Sequence, residues 1–311
     1  MSSLLQTILT RLALRELFPI FTAQGIDDSL LASLTDDDLQ KIGIDKLGDR
    51  KKLLAAFAEN SATAPLVPST DPLTATRTSP FVNSLGIPLV PASGYKTLFS
   101  VWPLRVCDYQ VFCDETSVPF PECDFAQGPD HPVVNVSWHD ATAFCKWLTK
   151  REHHLGTLKD IFIYRLPEDR EWSAAVELLG EAGLTPAERS GKARGYPWGT
   201  AYPPPRGAGN YHSALKTDDF RETSPVGSFP ANRFGLYDLG GNVWEWCQDK
   251  YDRESTRRVL RGASCFNDDD EYLLSSYREK DTSDSRRNNR GFRLSLAVSL
   301  EKDPWFERPT V

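Results

Sequence analysis

From Gly180 onward regular helix signals stop, and the chain is rich in Gly, Pro, Asn, Asp and aromatic side chains. This texture predicts short strands held by long ordered loops. It constrains the fold more than any helix elsewhere, because buried carbonyls and amides outside a regular ladder must find other partners. Bound cations are one such partner. At the centre of the segment lies Arg233 to Trp246, where Asp238 and Glu245 flank Gly240, Gly241 and Asn242. Carboxylates separated by glycines that turn backbone carbonyls inward suit a hard cation such as Ca2+, which takes about six to eight oxygen ligands without strict geometry. The alternative is metal-free: Trp244 and Trp246 anchor the core beside a tight turn, and the carboxylates face solvent.

At 311 residues, 40% apolar and 25% charged, the chain can form two domains or one large one with a sizeable core. A net charge of −7, with Lys and Arg dispersed, disfavours nucleic acid or an anionic membrane as a partner. The sequence holds no apolar run near the roughly 18 residues of a membrane span and no signal pattern at its N-terminus, so the expected location is cytoplasmic. The six cysteines (Cys107, Cys113, Cys123, Cys145, Cys247 and Cys265) are then expected as reduced thiols. They form no C-x-x-C pair, which argues against structural zinc, and five histidines argue against a multi-histidine hydrolytic centre.

The first 60 residues read differently, as about five short helices. Leu12, Leu14, Leu17, Phe18 and Phe21 lie at mostly helical spacing, and Thr35 caps an acidic first turn at Asp36, Asp37 and Asp38. Gly43 closes that helix, and a last one after Gly48 carries Leu53, Leu54 and Phe57. Gly25-Ile26-Asp27, Leu30-Leu31, Leu34 to Leu39, Ile42-Gly43-Ile44 and Leu47 to Leu54 resemble a sterile alpha motif (SAM) domain. The resemblance implies a small all-α bundle used for self-association or for docking to another SAM domain. An acidic face at Asp36 to Asp38 and a basic one at Arg50, Lys51 and Lys52 suit head-to-tail pairing. The other reading of that basic cluster is a solvated helix terminus.

Three segments follow from composition: a helical domain over 1–60, a Ser/Thr/Ala/Pro linker over 61–79, and a larger domain over 80–311. In the last, Ile87 to Pro91 and Thr97 to Val106 read as strands. A helix begins at Ser137 as N-cap with Asp140 at N3, and buries Ala141, Phe144, Cys145 and Leu148. A second begins at Pro167 and buries Trp172, Ala175, Val176 and Leu179.

Seven motifs then stand in order: Pro132 to Ala141, Tyr164 to Trp172, Tyr196-Pro-Trp-Gly, Asn210-Tyr211, Phe234 to Trp246, Val259 to Ser264, and Arg290-Gly-Phe-Arg. Together they resemble the formylglycine-generating enzyme (sulfatase-modifying factor) family over residues 80–298. The resemblance implies an α+β, C-type-lectin-like fold with little regular structure and two Ca2+ ions. One ion would take Asn210, the carbonyl of Tyr211, Asp218 and the carbonyl of Phe220. The other would take Asp238, the carbonyls of Gly241 and Val243, and Glu245.

Active members of that family hold Cu(I) on two cysteines and oxidise a substrate cysteine. Here those places fall at Asn267 and Tyr272, neither a thiolate, so no copper is expected. Trp244 and Ser264 keep the pocket's positions, and Cys265 reads as a buried small hydrophobe. The stretch Cys265 to Arg290 also resembles the variable region of retroelement-diversified ligand-binding proteins of the same fold. The expected ligand face is Trp244, Ser264, Cys265, Phe266, Asn267 and Asp269, with Glu271, Tyr272, Tyr277, Glu279 and Lys280 beside them. The alternative is that acidic residues 268–271 pair with Arg286, Arg287 and Arg290 to lock two loops together. The function expected first is a non-catalytic module that binds a protein or other ligand, with the SAM domain adding valency. The alternative function is a formylglycine-generating or other metal-dependent oxidase acting on a protein cysteine.

Overall fold

A computed structural model of the chain describes residues 4–12, 14–24, 26, 31, 34–61, 69–92 and 95–299. Gly25, Asp27 and Leu30 of the SAM-like motif, and linker residues 62–68, lie outside them. The chain divides into two compact units, Met1–Val67 and Pro68–Val311.

The first unit is helical: α1 (Leu4–Arg11), α2 (Phe18–Ala23), α3 (Asp36–Lys41) and α4 (Leu47–Ser61). Leu5, Ile8, Leu9, Phe21, Leu39, Ile44, Leu53 and Phe57 are buried together, with Phe21 and Phe57 edge to face. Thr35 and Asp38 form a reciprocal capping box at the start of α3. Gly43, at φ +94°, ends the helix in a conformation that costs a side-chain-bearing residue more. The expected basic face changes here. Arg50 is only 6% exposed and is spent within the bundle, donating to Asp36 at 2.9 Å and to the carbonyls of Ile44 and Asp45. Lys51 and Lys52 remain exposed.

In the second unit, residues 69–79 are not the linker that their composition suggests. Asp71 caps the turn Pro72–Thr74 and pairs with Lys159 at 2.6 Å, while Arg77 donates to the carbonyl of Arg233. Ser69 bridges Phe81 at the edge of the first sheet. That sheet runs β1 (Phe81–Val82), β2 (Pro88–Pro91), β3 (Leu98–Ser100), β9 (Ser295–Val298), β4 (Phe162–Arg165). The last strand in sequence therefore sits beside the third and closes the unit on itself. Helix α6 (Trp138–Leu155) covers it, with Ala141, Phe144, Cys145 and Leu148 buried as their spacing requires and Ser137 and Asp140 forming the capping box. Helix α5 (Val106–Thr116) is not foreseen by the sequence reading, which runs a strand up to Val106. Its Tyr109 and Phe112 pack on Phe144. Helix α7 (Asp169–Ala175) starts two residues after Pro167, with Glu168 as N-cap, and Leu179 is exposed because the helix ends before it.

The second sheet orders β7 (Glu279–Asp281), β6 (Arg258–Arg261), β5 (Trp244–Lys250) and β8 (Arg290–Gly291). Its register sets Trp244 beside Arg290 and Glu245 beside Arg261. Around it, side chains do the work expected of cations. The Asn232 carboxamide accepts the amides of Phe234 and Leu236, and Asn242 exchanges two hydrogen bonds with the backbone of Ser224. Gly241, at φ +82° in the bend before β5, lets the backbone approach so closely that a Cβ would overlap the Asn210 carbonyl. Asn242 donates its amide to that same carbonyl at 2.7 Å.

A buried ionic cluster underlies the sheet. Asp169 is 0% exposed and meets Arg189, Arg261 and Arg278, while Glu181 takes a second edge of Arg278. Burial alone would raise the Asp169 carboxyl, but Arg261 and Arg278 outweigh it and hold the group well below the usual carboxylate range. Asp249 has no such cation against it. Burial pushes it up to about 6, although it accepts the Asp169 amide at 2.7 Å.

Candidate ligand groove and cation sites

Strand β5, the turn after β6 and the loop before β8 enclose an open groove of about 620 Å3. Four residues expected on the ligand face line it: Trp244, Phe266, Asn267 and Glu279. Arg286 to Arg290 line it too, joined by Asp124 and Asn135 from a distant part of the chain. Phe266 is 41% exposed and offers the apolar surface, whereas Trp244 is 3% exposed and presents only an edge.

Asn267 stands where the family resemblance expects a copper ligand. Its Oδ1 accepts the Ser264 amide at 3.0 Å and the Ser264 hydroxyl at 2.7 Å, and that hydroxyl accepts from Asn289 at 3.1 Å. The Asn267 carboxamide thus braces the turn after β6, and the Ser264 hydroxyl, through Asn289, ties that turn to the loop before β8. Tyr272 is 39% exposed and meets Tyr277 edge to face at 5.0 Å, and Tyr277 in turn leans on Trp244. Burial raises the Tyr277 phenol. Cys265 is 1% exposed, and burial pushes its thiol up to about 12, so it is protonated at neutral pH. A carboxamide, a phenol and a sealed thiol do not fit a copper centre.

Lys280 belongs elsewhere: it lies over the Tyr251 ring at 4.1 Å, because alternate residues of β7 face opposite sides. Asp269 and Glu271 are exposed, and the Asp269 carboxylate accepts the Glu271 amide. The alternative pairing of residues 268–271 with the three arginines does not occur. Asp268 meets His212 at 3.2 Å and Asp270 meets Arg194 at 3.3 Å. Arg286 instead grips Asp140, while Arg287 and Arg290 both turn to Asp281.

The two expected cation sets fare differently. In the first, the Asp218 carboxylate accepts the amides of Tyr211 and Phe220, so one loop gathers Asn210, Tyr211, Asp218 and Phe220. Asn210 is 0% exposed. Its amide nitrogen donates to the Glu222 carbonyl, and its Oδ1 is buried with no hydrogen-bond partner. An orphaned oxygen beside a carboxylate fits a hard cation. The second set does not. Glu245 gives one oxygen to Arg293 Nη2 and the other to Arg293 Nε, both at 2.6 Å, and the latter also accepts from Trp172 at 3.0 Å. Asp238 is buried, accepts the Gly227 amide at 2.8 Å, and is pushed up to about 6 by burial. Gly241 and Val243 are buried beside them. Among the described residues, no three His, Cys, Asp or Glu side chains stand close enough together to hold a metal, so a cation here would need amide and carbonyl oxygens beside any carboxylate.

Residues 89–298 match the sulfatase-modifying factor enzyme 1-like domain, and residues 9–61 match the SAM domain. The chain belongs to the sulfatase-modifying factor enzyme 1-like family, and its small N-terminal unit is a SAM domain. Among curated relatives, the inactive C-alpha-formylglycine-generating enzyme 2 of Bos taurus is 37% identical over 176 residues, which is 53% of this chain and 50% of that one. The formylglycine-generating enzyme of Streptomyces coelicolor is 34% identical over 205 residues, covering 57% and 56% of the two chains. The chain thus spans about half the length of the curated relatives it matches. Among solved structures, PvdO from Pseudomonas aeruginosa aligns with a TM-score of 0.51 at 23% identity, over 65% of this chain and 80% of that one, a likeness of fold alone. Among the described residues no helix is long and apolar enough to cross a membrane, and the six cysteines are unpaired.

Proposed function

We propose that this protein is a non-catalytic member of its family, which binds a protein or other macromolecular ligand in the groove between Phe266 and Arg290. The observation that carries this reading is Asn267. The position that would hold a copper thiolate is instead built into the framework of the groove, with both of its contacts to Ser264 made by the carboxamide oxygen. The similarity to a relative described as inactive supports it. A calcium ion held by Asn210, Tyr211, Asp218 and Phe220 would brace the loop that lies under the groove. The working location is the cytoplasm, where the six thiols stay reduced, and neither nucleic acid nor membrane is a partner.

The test is chemical. Purified full chain incubated with copper and a cysteine-containing peptide should show no peptide oxidation, and Cys265→Ser should leave ligand capture unchanged. Turnover with stoichiometric bound copper or iron, abolished in Cys265→Ser, would sink the reading.

In the same proposal the SAM domain multiplies weak contacts by self-association or by docking to another SAM domain. With Arg50 spent internally, the charged contact rests on Lys51 and Lys52 against Asp37 and its neighbours, and exposed pairs contribute only about 0–1 kcal/mol each. Association of the full chain should therefore be modest and weaken as ionic strength passes about 0.15 M. Light scattering checks this. A mass that stays monomeric at low salt and high concentration would leave docking to a second SAM-containing protein as the domain's use.

A further inference from the structure

Four arginines of the second unit grip a carboxylate in the same way, through the edge formed by Nε and Nη2. Arg105 holds Asp108, Arg278 holds Asp169, Arg286 holds Asp140 and Arg293 holds Glu245, with contacts between 2.6 and 3.1 Å. Arg290 lines the groove and is 6% exposed, but it is held differently. Its Nη1 reaches Asp281 and Ser285, while its Nε is buried without a hydrogen-bond partner. Of the edge that the other four use on carboxylates, the Nε is sealed here and the Nη2 makes no hydrogen bond. Asp281 must also serve Arg287, at 3.4 Å, so two guanidinium groups share one carboxylate. A desolvated cation in this position calls for an anionic acceptor.

A second anionic group, the Glu279 carboxylate, lines the same groove and favours the charged form of Arg290. One of its oxygens accepts the Lys280 amide at 2.7 Å, and the group makes no ion pair within 4.0 Å. Phe266, exposed on the same groove, supplies an apolar surface for whatever the acid is attached to.

We propose that the groove recognises ligands through a carboxylate seated on the Nη2 of Arg290, with the ligand's apolar body against Phe266 and Glu279 as the carboxylate it competes with. The inference rests on the groove being a recognition site, and it adds the chemical class of what enters. Arg287, whose outer nitrogens face solvent, supplies a second contact to the same acid, and an amide in place of the acid loses the charge-assisted pair.

Ligand-observed NMR titration of the full chain with phenylacetate and with phenylacetamide, at low salt, tests it. The acid should bind at least about tenfold more tightly than the amide, the ratio that corresponds to about 1.4 kcal/mol. Arg287→Gln should weaken the acid several-fold and leave the amide unchanged. Glu279→Gln should tighten the acid several-fold, an outcome that does not depend on a destabilised Arg290 variant. Equal binding of acid and amide would overturn the carboxylate assignment while leaving a recognition groove in place. An unresponsive Glu279→Gln variant, or no binding of either probe, would overturn it as well. The oxidation assay above is the independent measurement that decides whether the groove is a recognition site at all.

Discussion

Replacing Asp169 with Asn should cost about 3–5 kcal/mol of stability at pH 7, the range for removing one partner of a buried ion pair. Three guanidinium groups converge on this carboxylate, and Arg261 and Arg278 are both fully buried. Without it, Glu181 is the one acidic side chain that still pairs with any of the three, through Arg278. The remaining cations would face one another in a medium that screens them poorly. The pH dependence has a definite sign. The folded Asp169 carboxyl titrates well below its unfolded value of about 3.9, so its contribution is complete above that value and is lost as pH falls through the folded one. Wild type and Asp169→Asn should thus differ fully down to about pH 4 and converge only as the pH falls below it. Urea unfolding at about pH 7 and about pH 2 is the measurement. A difference under about 1 kcal/mol, or one that ignores pH, would mean that the cluster relaxes around a neutral side chain.

How much of this was legible in the sequence follows from the distance between partners. Thr35 with Asp38, and Ser137 with Asp140, are three residues apart, and both capping boxes are found where their spacing puts them. Helix α5 escaped because Arg105, an unusual N-cap residue, closes its box with Asp108, and its buried face continues an apolar run that reads as a strand. Asp169 reads as an ordinary acidic residue in a first turn, since its arginines lie 20, 92 and 109 residues away. The same gap hides the arginine that meets Glu245: Arg293 is 48 residues distant, at the end of the Arg290-Gly-Phe-Arg motif. In the groove, the run from Arg286 to Arg290 was visible as a basic and amide-rich loop, but the acids it meets were not. Asp140 lies on the first turn of α6 and Asp281 on β7, and neither carries a local signal of the contact.

Glu245 and Asp218 should part company when calcium is varied. Glu245→Gln removes the carboxylate that neutralises Arg293, a side chain that is 0% exposed and otherwise donates only to the carbonyls of Ser100 and Tyr237. The expected loss is again about 3–5 kcal/mol, and it should be the same with calcium and with chelator, because the partner lost is an arginine. Pairing the change with Arg293→Met should recover part of it, since an apolar isostere leaves no charge stranded in the core. Asp218→Ala should behave in the opposite manner. A cation bound to the native state alone adds about 2.7 kcal/mol at a hundred times its Kd. Asp218→Ala should forfeit that increment in calcium, while in chelator it differs from wild type only by its hydrogen bonds to Tyr211, Thr217 and Phe220. Thermal unfolding of both variants and wild type, each with excess calcium and with chelator, separates the cases. If calcium stabilises none of them, the orphaned Asn210 oxygen is served by water and the fold stands without a cation. If Glu245→Gln alone loses the calcium effect, the second ligand set is the occupied one and the pairing with Arg293 yields to the metal.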